Sequence, residues 1–284
     1  MKPLATQLID AGLQKYAARL AELARPALKM RIARVGPEAD RALSSKLGGT
    51  PDLPAGFEWP RWDKTPLAFI GQINLADLGE LSAARALPAA GMLSFFYNPE
   101  QTNWGFDPND RGSARVCWFP DVSELRRTSF PLELARHGRF NPGEISFGEV
   151  VTLPPYQARD VDALQFTAAE GDKYFELWQT WHAAHGDDRA HQLLGHPEPI
   201  QDEMQLQCQL VTNGIDCGGP EGYEDPRRSE LEPGADDWQL LAQIDSDDSL
   251  GMMWGDVGML YYWIRADDLR TRRFDQAWMI FQCM

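Results

Sequence analysis

Four carboxylates stand close together near the end of the chain, between two apolar segments. Asp245, Asp247 and Asp248 follow the stretch "WQLLAQI", and Asp256 directly precedes "VGMLYYW". If the two apolar segments pair as strands, the turn and the start of the second strand converge. Carboxylate oxygens are the ligands that hard cations such as Ca²⁺ and Mg²⁺ prefer. The pattern therefore defines a candidate cation site, with Asp245, Asp247 and Asp248 as metal ligands.

The same residues have two other interpretations. Asp and Ser favour turns because their side chains bond nearby backbone amides, and the spacing lacks the bidentate Glu of an EF-hand loop. Crowded carboxylates also shift one another's pKa and can serve in acid–base catalysis. A metal-assisted hydrolase using Asp245, Asp247, Asp248 and Asp256 is therefore the alternative hypothesis. No GxSxG, P-loop or GxGxxG pattern supports an enzyme.

Two glutamines interrupt apolar segments at matching places, Gln72 in "FIGQIN" and Gln243 in "LAQID". Burying an amide without hydrogen-bond partners costs roughly 1–3 kcal/mol. Each side chain must therefore either tie a neighbouring loop, such as the Gly-Pro loop of its own repeat, or contact a ligand. Together with Trp254 and Asp256, the two glutamines form the candidate ligand-binding set.

Three blocks of sequence recur in the same order. "SKLGGTPDLP" from Ser45 is echoed by "HQLLGHPEPI" from His191, "LAFIGQIN" by "QLLAQID", and "GMLSFFY" by "GMLYYWI". Ordered self-similarity of this kind is typical of an internal duplication. The sequence therefore predicts two tandem-duplicated β modules, spanning about residues 43–120 and 190–284. A groove between the modules would be the default ligand site.

The predicted fold class is α+β and β-rich, with the two modules packed into one pseudo-symmetric body. Apolar residues at helical spacing precede Pro26, and residues 1–34 are predicted to form an N-terminal helical segment. The remaining residues, 35–284, are predicted to form the main domain. Short apolar runs between Gly and Pro predict strands. One or two central helices are expected at 171–186 and 203–214, and an exposed loop at 218–237.

Composition excludes several classes of partner. The 284 residues carry a net charge of −15, which repels nucleic-acid phosphates and anionic membranes. No stretch approaches the roughly 20 apolar residues of a membrane span, and no secretory h-region is expected. The four cysteines form no CxxC pair, which favours free thiols in the cytoplasm, although a Cys208–Cys217 disulfide stays open from spacing alone.

The quoted blocks, together with "MWGDVGMLYYWIRADDL", resemble the YwqG-like family of bacterial domains of unknown function over roughly residues 25–284. The resemblance implies a β-rich, cytoplasmic, mostly bacterial protein and supplies no activity, cofactor or catalytic residue. The leading hypothesis is a non-catalytic binding or interaction module that takes a protein partner or a small ligand in the groove between repeats. The biochemical function and the oligomeric state stay open.

Overall fold

The computed structural model describes residues 2–185 and 189–284. Strands and helices alternate with many turns. The strands are β1 (Arg25–Arg34), β2 (Lys46–Leu47), β3 (Asp52–Pro54), β4 (Arg61–Trp62), β5 (Thr65–Pro66), β6 (Ala68–Asn74), β7 (Met92–Tyr97), β8 (Ala114–Phe119), β9 (Leu125–Arg127), β10 (Gly143–Thr152), β11 (Gln192–Leu193), β12 (Trp238–Asp245), β13 (Met259–Arg265) and β14 (Trp278–Gln282). The α-helices are α1 (Leu4–Asp10), α2 (Ala17–Leu23), α3 (Arg159–Asp162), α4 (Ala168–His185), α5 (Gln205–Thr212), α6 (Pro220–Tyr223), α7 (Arg228–Leu231) and α8 (Ala266–Arg270).

One antiparallel sheet organises the molecule. Its strand order is β14-β13-β12-β11-β1-β10-β2-β6-β7-β8. The long strands β1 and β10 pair along their whole length at the centre, from Arg25 opposite Thr152 to Arg34 opposite Gly143. The arm that starts with β2 attaches to β10, and the arm that starts with β11 attaches to β1. The central pair therefore carries one arm on each side.

The sheet is large and nearly closed. The two edge strands, β8 and β14, are joined by the segment around residues 104–106. Trp104 accepts a hydrogen bond at its carbonyl from the Phe281 amide at 3.0 Å, and Gly105 accepts one from the Trp278 indole at 2.8 Å. These contacts bring the ends of the two arms together.

The curvature of the sheet gives it one inner core and two outer layers. Apolar side chains from both arms and from the central pair form the inner cluster, including Leu28, Ile70, Phe95, Leu193, Ile244, Tyr262 and Phe281. On the outer face, α5 and its neighbours cover the β12–β14 arm. The small sheet of β3 and β9, with Leu53 and Leu125, covers the β6–β8 arm. The N-terminal helices pack against α3 and α4.

The N-terminal segment differs from the sequence-based expectation. Helix α2 ends at Leu23, and residues 25–34, which were expected in a helical segment, form the central strand β1. Ala27, Leu28, Lys29 and Met30 are all buried, because both faces of β1 are covered and β10 supplies a ten-residue partner. Long-range pairing overrides local helix propensity here. The 34/35 domain boundary stays a prediction.

The central helices were predicted correctly, and the loop after them was not. Helix α4 occupies 168–185 and α5 occupies 205–212, where helical spacing favoured them. The expected exposed loop at 218–237 instead contains α6 and α7, and Ala235 is fully buried within it. None of the helices formed by the described residues has the length and apolar character needed to cross a membrane.

The turn after β11 depends on a glycine. Gly195 has φ +74°, and a Cβ placed there would lie 2.5 Å from the Ala27 Cβ and 2.7 Å from the Thr152 Oγ1. Gly214 also has positive φ, but a Cβ there would meet nothing within 4 Å. The first site therefore combines backbone strain with crowding, whereas the second has strain alone.

Replacing Gly195 with alanine is expected to lower the free energy of unfolding by about 2–4 kcal/mol, the sum of left-handed backbone strain and overpacking. Gly214→Ala is the control and is expected to lose only about 1–2 kcal/mol from strain. Urea denaturation of both variants measures the difference. Equal losses would contradict the role given to close packing against Ala27.

Candidate functional site

Gln72 lies on β6 and is fully buried. Its Oε1 accepts a hydrogen bond from the Asp52 amide at 2.9 Å. Its Nε2 donates to the Ser44 carbonyl at 3.0 Å and to the Asp52 carboxylate at 2.7 Å. The side chain therefore ties both ends of the Gly-Pro loop between Ser44 and Asp52 to the sheet.

Gln243 occupies the corresponding place on β12 and is also fully buried. Its Oε1 accepts from the Glu198 amide at 2.8 Å, and its Nε2 donates to the Ala190 carbonyl at 2.7 Å. Both ends of the second Gly-Pro loop are thus held in the same way. Of the two roles open to the glutamines, the contacts support loop anchoring, because protein groups occupy both amides.

Trp254 also lies in the interior. Its side chain is 1% exposed and packs between Tyr97 and Phe140. The indole Nε1 donates to the Asp245 carbonyl at 3.1 Å. Its ring edge and its polar atom are therefore both engaged within the core, away from the surface where Asp256 lies exposed. The four members of the expected ligand-binding set do not meet at one site.

The acidic stretch forms a turn stabilised by its own side chains. Asp245 accepts from the Ala190 amide at 2.9 Å. The Asp247 carboxylate accepts from the amide and the hydroxyl of Ser249, at 2.9 and 2.6 Å. The nearby His191, helped by Ser249, holds the pKa of Asp247 well below its usual range. The contacts of Asp247 with Ser249 are those of a turn in which side chains bond nearby amides, one of the interpretations that the sequence allowed.

The described residues do not bring Asp245, Asp247 and Asp248 together as the predicted set of calcium or magnesium ligands. Protein groups engage the first two carboxylates, whereas Asp248 and Asp256 are exposed. Across residues 2–185 and 189–284, no group of three or more His, Cys, Asp or Glu side chains is arranged to hold a metal ion. The physical reason is that Asp247 turns towards donors that its own turn supplies, whereas Asp245 bonds the Ala190 amide just before β11.

A shallow groove does lie between the two arms, where β8 approaches β14. It has a volume of about 230 Å³, and its lining includes Arg111, Arg115 and Trp278. The Arg111 guanidinium sits over the Trp278 ring at 5.3 Å. Because Gly105 already accepts the Trp278 indole hydrogen bond, the buried polar group of this groove is satisfied. We call it the seam groove.

A second cavity has a volume of about 170 Å³ and is more enclosed than the seam groove. Four prolines line it, from the loop after β10 and from the loop after β11, and we call it the proline cavity. Its lining residues are Arg25, Pro154, Pro155, Ala158, Arg159, Asp160, His196, Pro197, Pro199, Glu203, Met204, Gln205, Asp236 and Trp263. Polar or charged residues and apolar residues contribute equally to this lining, so a ligand there would meet both kinds of surface.

Trp263 contributes an unpaired donor to this cavity. It lies on β13 and is only 2% exposed. Within the described part of the chain, its Nε1 has no hydrogen-bond partner. By contrast, Trp238 in the same outer layer donates to the Gln209 Oε1 at 3.1 Å. Buried indole N–H groups are normally paired, so the orphan marks the cavity wall as incomplete.

His196 contributes an acceptor. Its Nε2 lies 2.7 Å from the Leu23 carbonyl, and a carbonyl only accepts, so Nε2 carries the proton and Nδ1 is bare. Burial, helped by the positive charge of Arg25, lowers the pKa of His196 to about 3. The ring is therefore neutral at pH 7, and no described residue donates to its Nδ1.

The carboxyl group of Glu203 and the guanidinium group of Arg159 add charge to the lining. Glu203 accepts from the amides of Gln205 at 2.7 Å and Leu206 at 3.3 Å, at the start of α5. Burial raises the pKa of the Glu203 carboxyl despite these bonds. Arg159 is held by the Glu232 carbonyl at 3.0 Å and by Asp236. The cavity thus exposes charges of both signs at its edge.

A family model described as a domain of unknown function (DUF1963) matches residues 45–283. The chain belongs to this family. No curated protein matches the chain. Of the residues that line the proline cavity in this DUF1963 chain, Arg25 lies outside the matched range and the others lie within it. The family description adds no activity, so the site must be judged on its chemistry.

The segment with His196, Pro197 and Pro199 was recognised in the sequence only as a block of the repeat pattern, not as part of a site. The sequence analysis did not identify Arg25 and Trp263 as site residues, because 238 positions separate them along the chain. One available signal was the unusual proline density around residues 154–155 and 197–199. Prolines that face one another across a fold leave few backbone donors to fill a cavity.

Replacing Trp263 with phenylalanine is expected to cost less stability than the same change at Trp238, by about 0.5–1.5 kcal/mol, the net contribution of one hydrogen bond. The first change removes a buried donor that has no partner among the described residues, whereas the second breaks the hydrogen bond to the Gln209 Oε1, which keeps its bond from Arg265. Chemical denaturation of both variants gives the comparison. An equal or larger loss at Trp263 would show that its N–H is paired in solution by protein groups.

Proposed function

We propose that this chain is a non-catalytic binding module whose small ligand occupies the proline cavity. The observation that carries the proposal is that Trp263 lines the cavity and that its buried Nε1 has no partner among the described residues. A buried unpaired donor costs about 1–3 kcal/mol, and a ligand acceptor would remove that cost. The bare Nδ1 of His196 adds a second group that needs a partner.

The repeat pattern favours the seam groove, which lies between the two arms. As a ligand site it has less support than the proline cavity. Its buried indole is already paired with Gly105, and its two arginines lie at the surface or over a ring. A protein partner would have to recognise exposed groups there. The proline cavity is smaller, and its lining includes a buried indole N–H that no described residue pairs.

The metal-assisted hydrolase has less support. Its four carboxylates are Asp245, Asp247, Asp248 and Asp256. The first two are engaged by the turn, and the other two are exposed. Neither a cation nor a carboxylate acid–base pair is favoured by those contacts. Nucleic acid is not proposed as a partner because the net charge is −15.

We also propose that the fold arose by tandem duplication and is pseudo-symmetric about the β1–β10 pair. Matching hydrogen bonds support this. Gln72 holds Ser44 and Asp52 as Gln243 holds Ala190 and Glu198. A third matching pair of bonds spans the turns, where Lys46 donates to the Thr50 carbonyl and Gln192 donates to the His196 carbonyl.

Within the family, we place the chain in the bacterial YwqG-like group and in the cytoplasm. The support for the group is the ordered set of motifs from "SKLGGTPDLP" to "MWGDVGMLYYWIRADDL". Support for a reducing compartment comes from the cysteines. Cys117, Cys208, Cys217 and Cys283 are all free thiols, and Cys208 and Cys217 stay unpaired although they lie in one buried cluster.

The test is a thermal-shift screen against a defined panel: amino acids, monocarboxylic acids of up to six carbons, short primary amines, sugar alcohols and nucleobases. A compound that binds the folded state raises Tm. We expect at least one class to raise the Tm of the wild type but not of Asp160→Trp, which places a large side chain at the exposed rim of the cavity. No shift with any compound would overturn the proposal.

Asp162→Trp is the matched control, because Asp162 is also exposed and lies on the same helix, α3, outside the lining of the proline cavity. The control should respond to the ligand like the wild type. If the two tryptophan variants and the wild type respond alike, the compound binds elsewhere and the proposal fails for that compound class.

A further inference from the structure

We infer that the ligand of the proline cavity is a small apolar α-amino acid, a compound that carries a carboxylate and an ammonium on one short aliphatic body. The inference rests on the proposed function, since it names the ligand class of the same cavity. Three groups that no described residue pairs define the ligand: the Arg25 guanidinium, the Trp263 N–H and the His196 Nδ1. Each of them requires a different chemical feature.

The half-buried Arg25 favours an anion. It lines the cavity at the start of β1, and no described carboxylate forms an ion pair with its guanidinium. Its charge reaches the neighbouring His196, whose protonation it disfavours. A planar guanidinium binds a carboxylate through two parallel hydrogen bonds. A ligand carboxylate at this place would also offer an acceptor to the Trp263 N–H.

His196 requires a donor. With Nε2 donating to the Leu23 carbonyl at 2.7 Å, Nδ1 can only accept. The ring is 6% exposed and neutral at pH 7, so it cannot act as a cation for the ligand. An N–H group on the ligand, close to its carboxylate, is the simplest partner. An α-ammonium group has that position.

The surrounding charges favour a zwitterion over a simple ion. Glu203 and Asp160 line the cavity, and no described cation forms an ion pair with either carboxylate. Arg159, whose charge acts on Glu203, is itself paired with Asp236 and Glu232. A simple anion would face these carboxylates, and a simple cation would face Arg25. A ligand with both charges complements both sides.

The volume and the apolar part of the lining limit the size of the ligand. Pro154, Pro155, Pro197, Pro199 and Met204 supply the nonpolar lining. The cavity volume of about 170 Å³ is below the range of roughly 300–1,000 Å³ typical of sites for drug-sized ligands. It suits a short aliphatic side chain rather than a large ring system or a nucleotide.

The test is calorimetric titration with alanine, valine, leucine, isoleucine, proline and methionine. For the amino acid that binds most tightly, the deamino acid and the decarboxylated amine of the same carbon skeleton are titrated next. We expect each analogue to bind at least about tenfold more weakly than the amino acid, because each lacks one of the two charged groups. Analogues that bind as tightly as the amino acid would overturn the inference.

Arg25→Gln isolates the role of the guanidinium, with Arg34→Gln at the exposed far end of β1 as control. We expect Arg25→Gln to weaken the amino acid and the deamino acid about tenfold or more and to leave the amine unchanged. Arg34→Gln should change none of them. Unchanged amino-acid affinity in Arg25→Gln would contradict the assignment.

The two proposals fail differently. If another class in the thermal-shift panel binds in a manner that Asp160→Trp abolishes, and none of the six amino acids binds, the amino-acid inference is wrong and the binding module stands. If no compound of any class shows binding that Asp160→Trp abolishes, the proposed function itself fails.

Discussion

Replacing Gln243 with leucine is expected to lower the free energy of unfolding by about 2–6 kcal/mol. The change leaves two buried backbone groups without partners, the Glu198 amide and the Ala190 carbonyl. Each unsatisfied group costs about 1–3 kcal/mol, and leucine cannot replace either bond. Gln72→Leu should behave alike, since it frees the Asp52 amide and the Ser44 carbonyl.

The matched control for this change is Gln239→Leu on the same strand. Gln239 is half-buried, and no described residue hydrogen-bonds its side chain. It should lose less than about 0.5 kcal/mol, as surface substitutions usually do. Urea denaturation with a common m-value gives all three numbers. A loss at Gln243 no larger than at Gln239 would contradict the anchoring role of the repeated glutamines.

Acidification is expected to destabilise the protein through His196. In the unfolded chain this histidine titrates near its ordinary pKa of 6.5, whereas burial lowers its folded-state pKa to about 3. Between those values the unfolded state binds a proton that the folded state does not. Stability is therefore fully present above pH 6.5 and falls as the pH drops, with a slope that approaches about 1.4 kcal/mol per pH unit.

His196→Gln should remove this part of the pH dependence, because a glutamine amide can still donate to the Leu23 carbonyl but does not titrate. His137→Gln is the control, since His137 is exposed. Denaturation curves at several pH values from 4.5 to 7 give the slopes. A slope in His196→Gln that equals the slope of the wild type would show that His196 is protonated in the folded protein.

Local patterns in the sequence were sufficient for elements whose residues satisfy one another nearby. Helices α4 and α5 follow from helical spacing, and the buried glutamines follow from their place in apolar strands. Strand β1 did not follow, because its burial depends on pairing with β10 over a hundred residues away. A short segment after Pro26 contains no local sign of such a partner.

The candidate site shows the same division. Carboxylates crowded between strands resemble a cation site in sequence, yet Asp247 turns to Ser249 two residues away. The proline cavity, in contrast, exists only because β1, β13 and the two proline loops meet in space. The unpaired state of the Trp263 N–H is a property of the assembled fold, which no single stretch of sequence encodes.

The most direct test of the central claim is the indole N–H spectrum of the ¹⁵N-labelled protein during titration with the six apolar amino acids. The ten tryptophans give one indole signal each, and Trp263→Phe and Trp278→Phe assign the two that matter. The account predicts that the Trp263 signal shifts in the direction of a newly formed hydrogen bond, while the Trp278 signal at the seam groove stays in place. A Trp263 signal that never moves while the Trp278 signal does would contradict it.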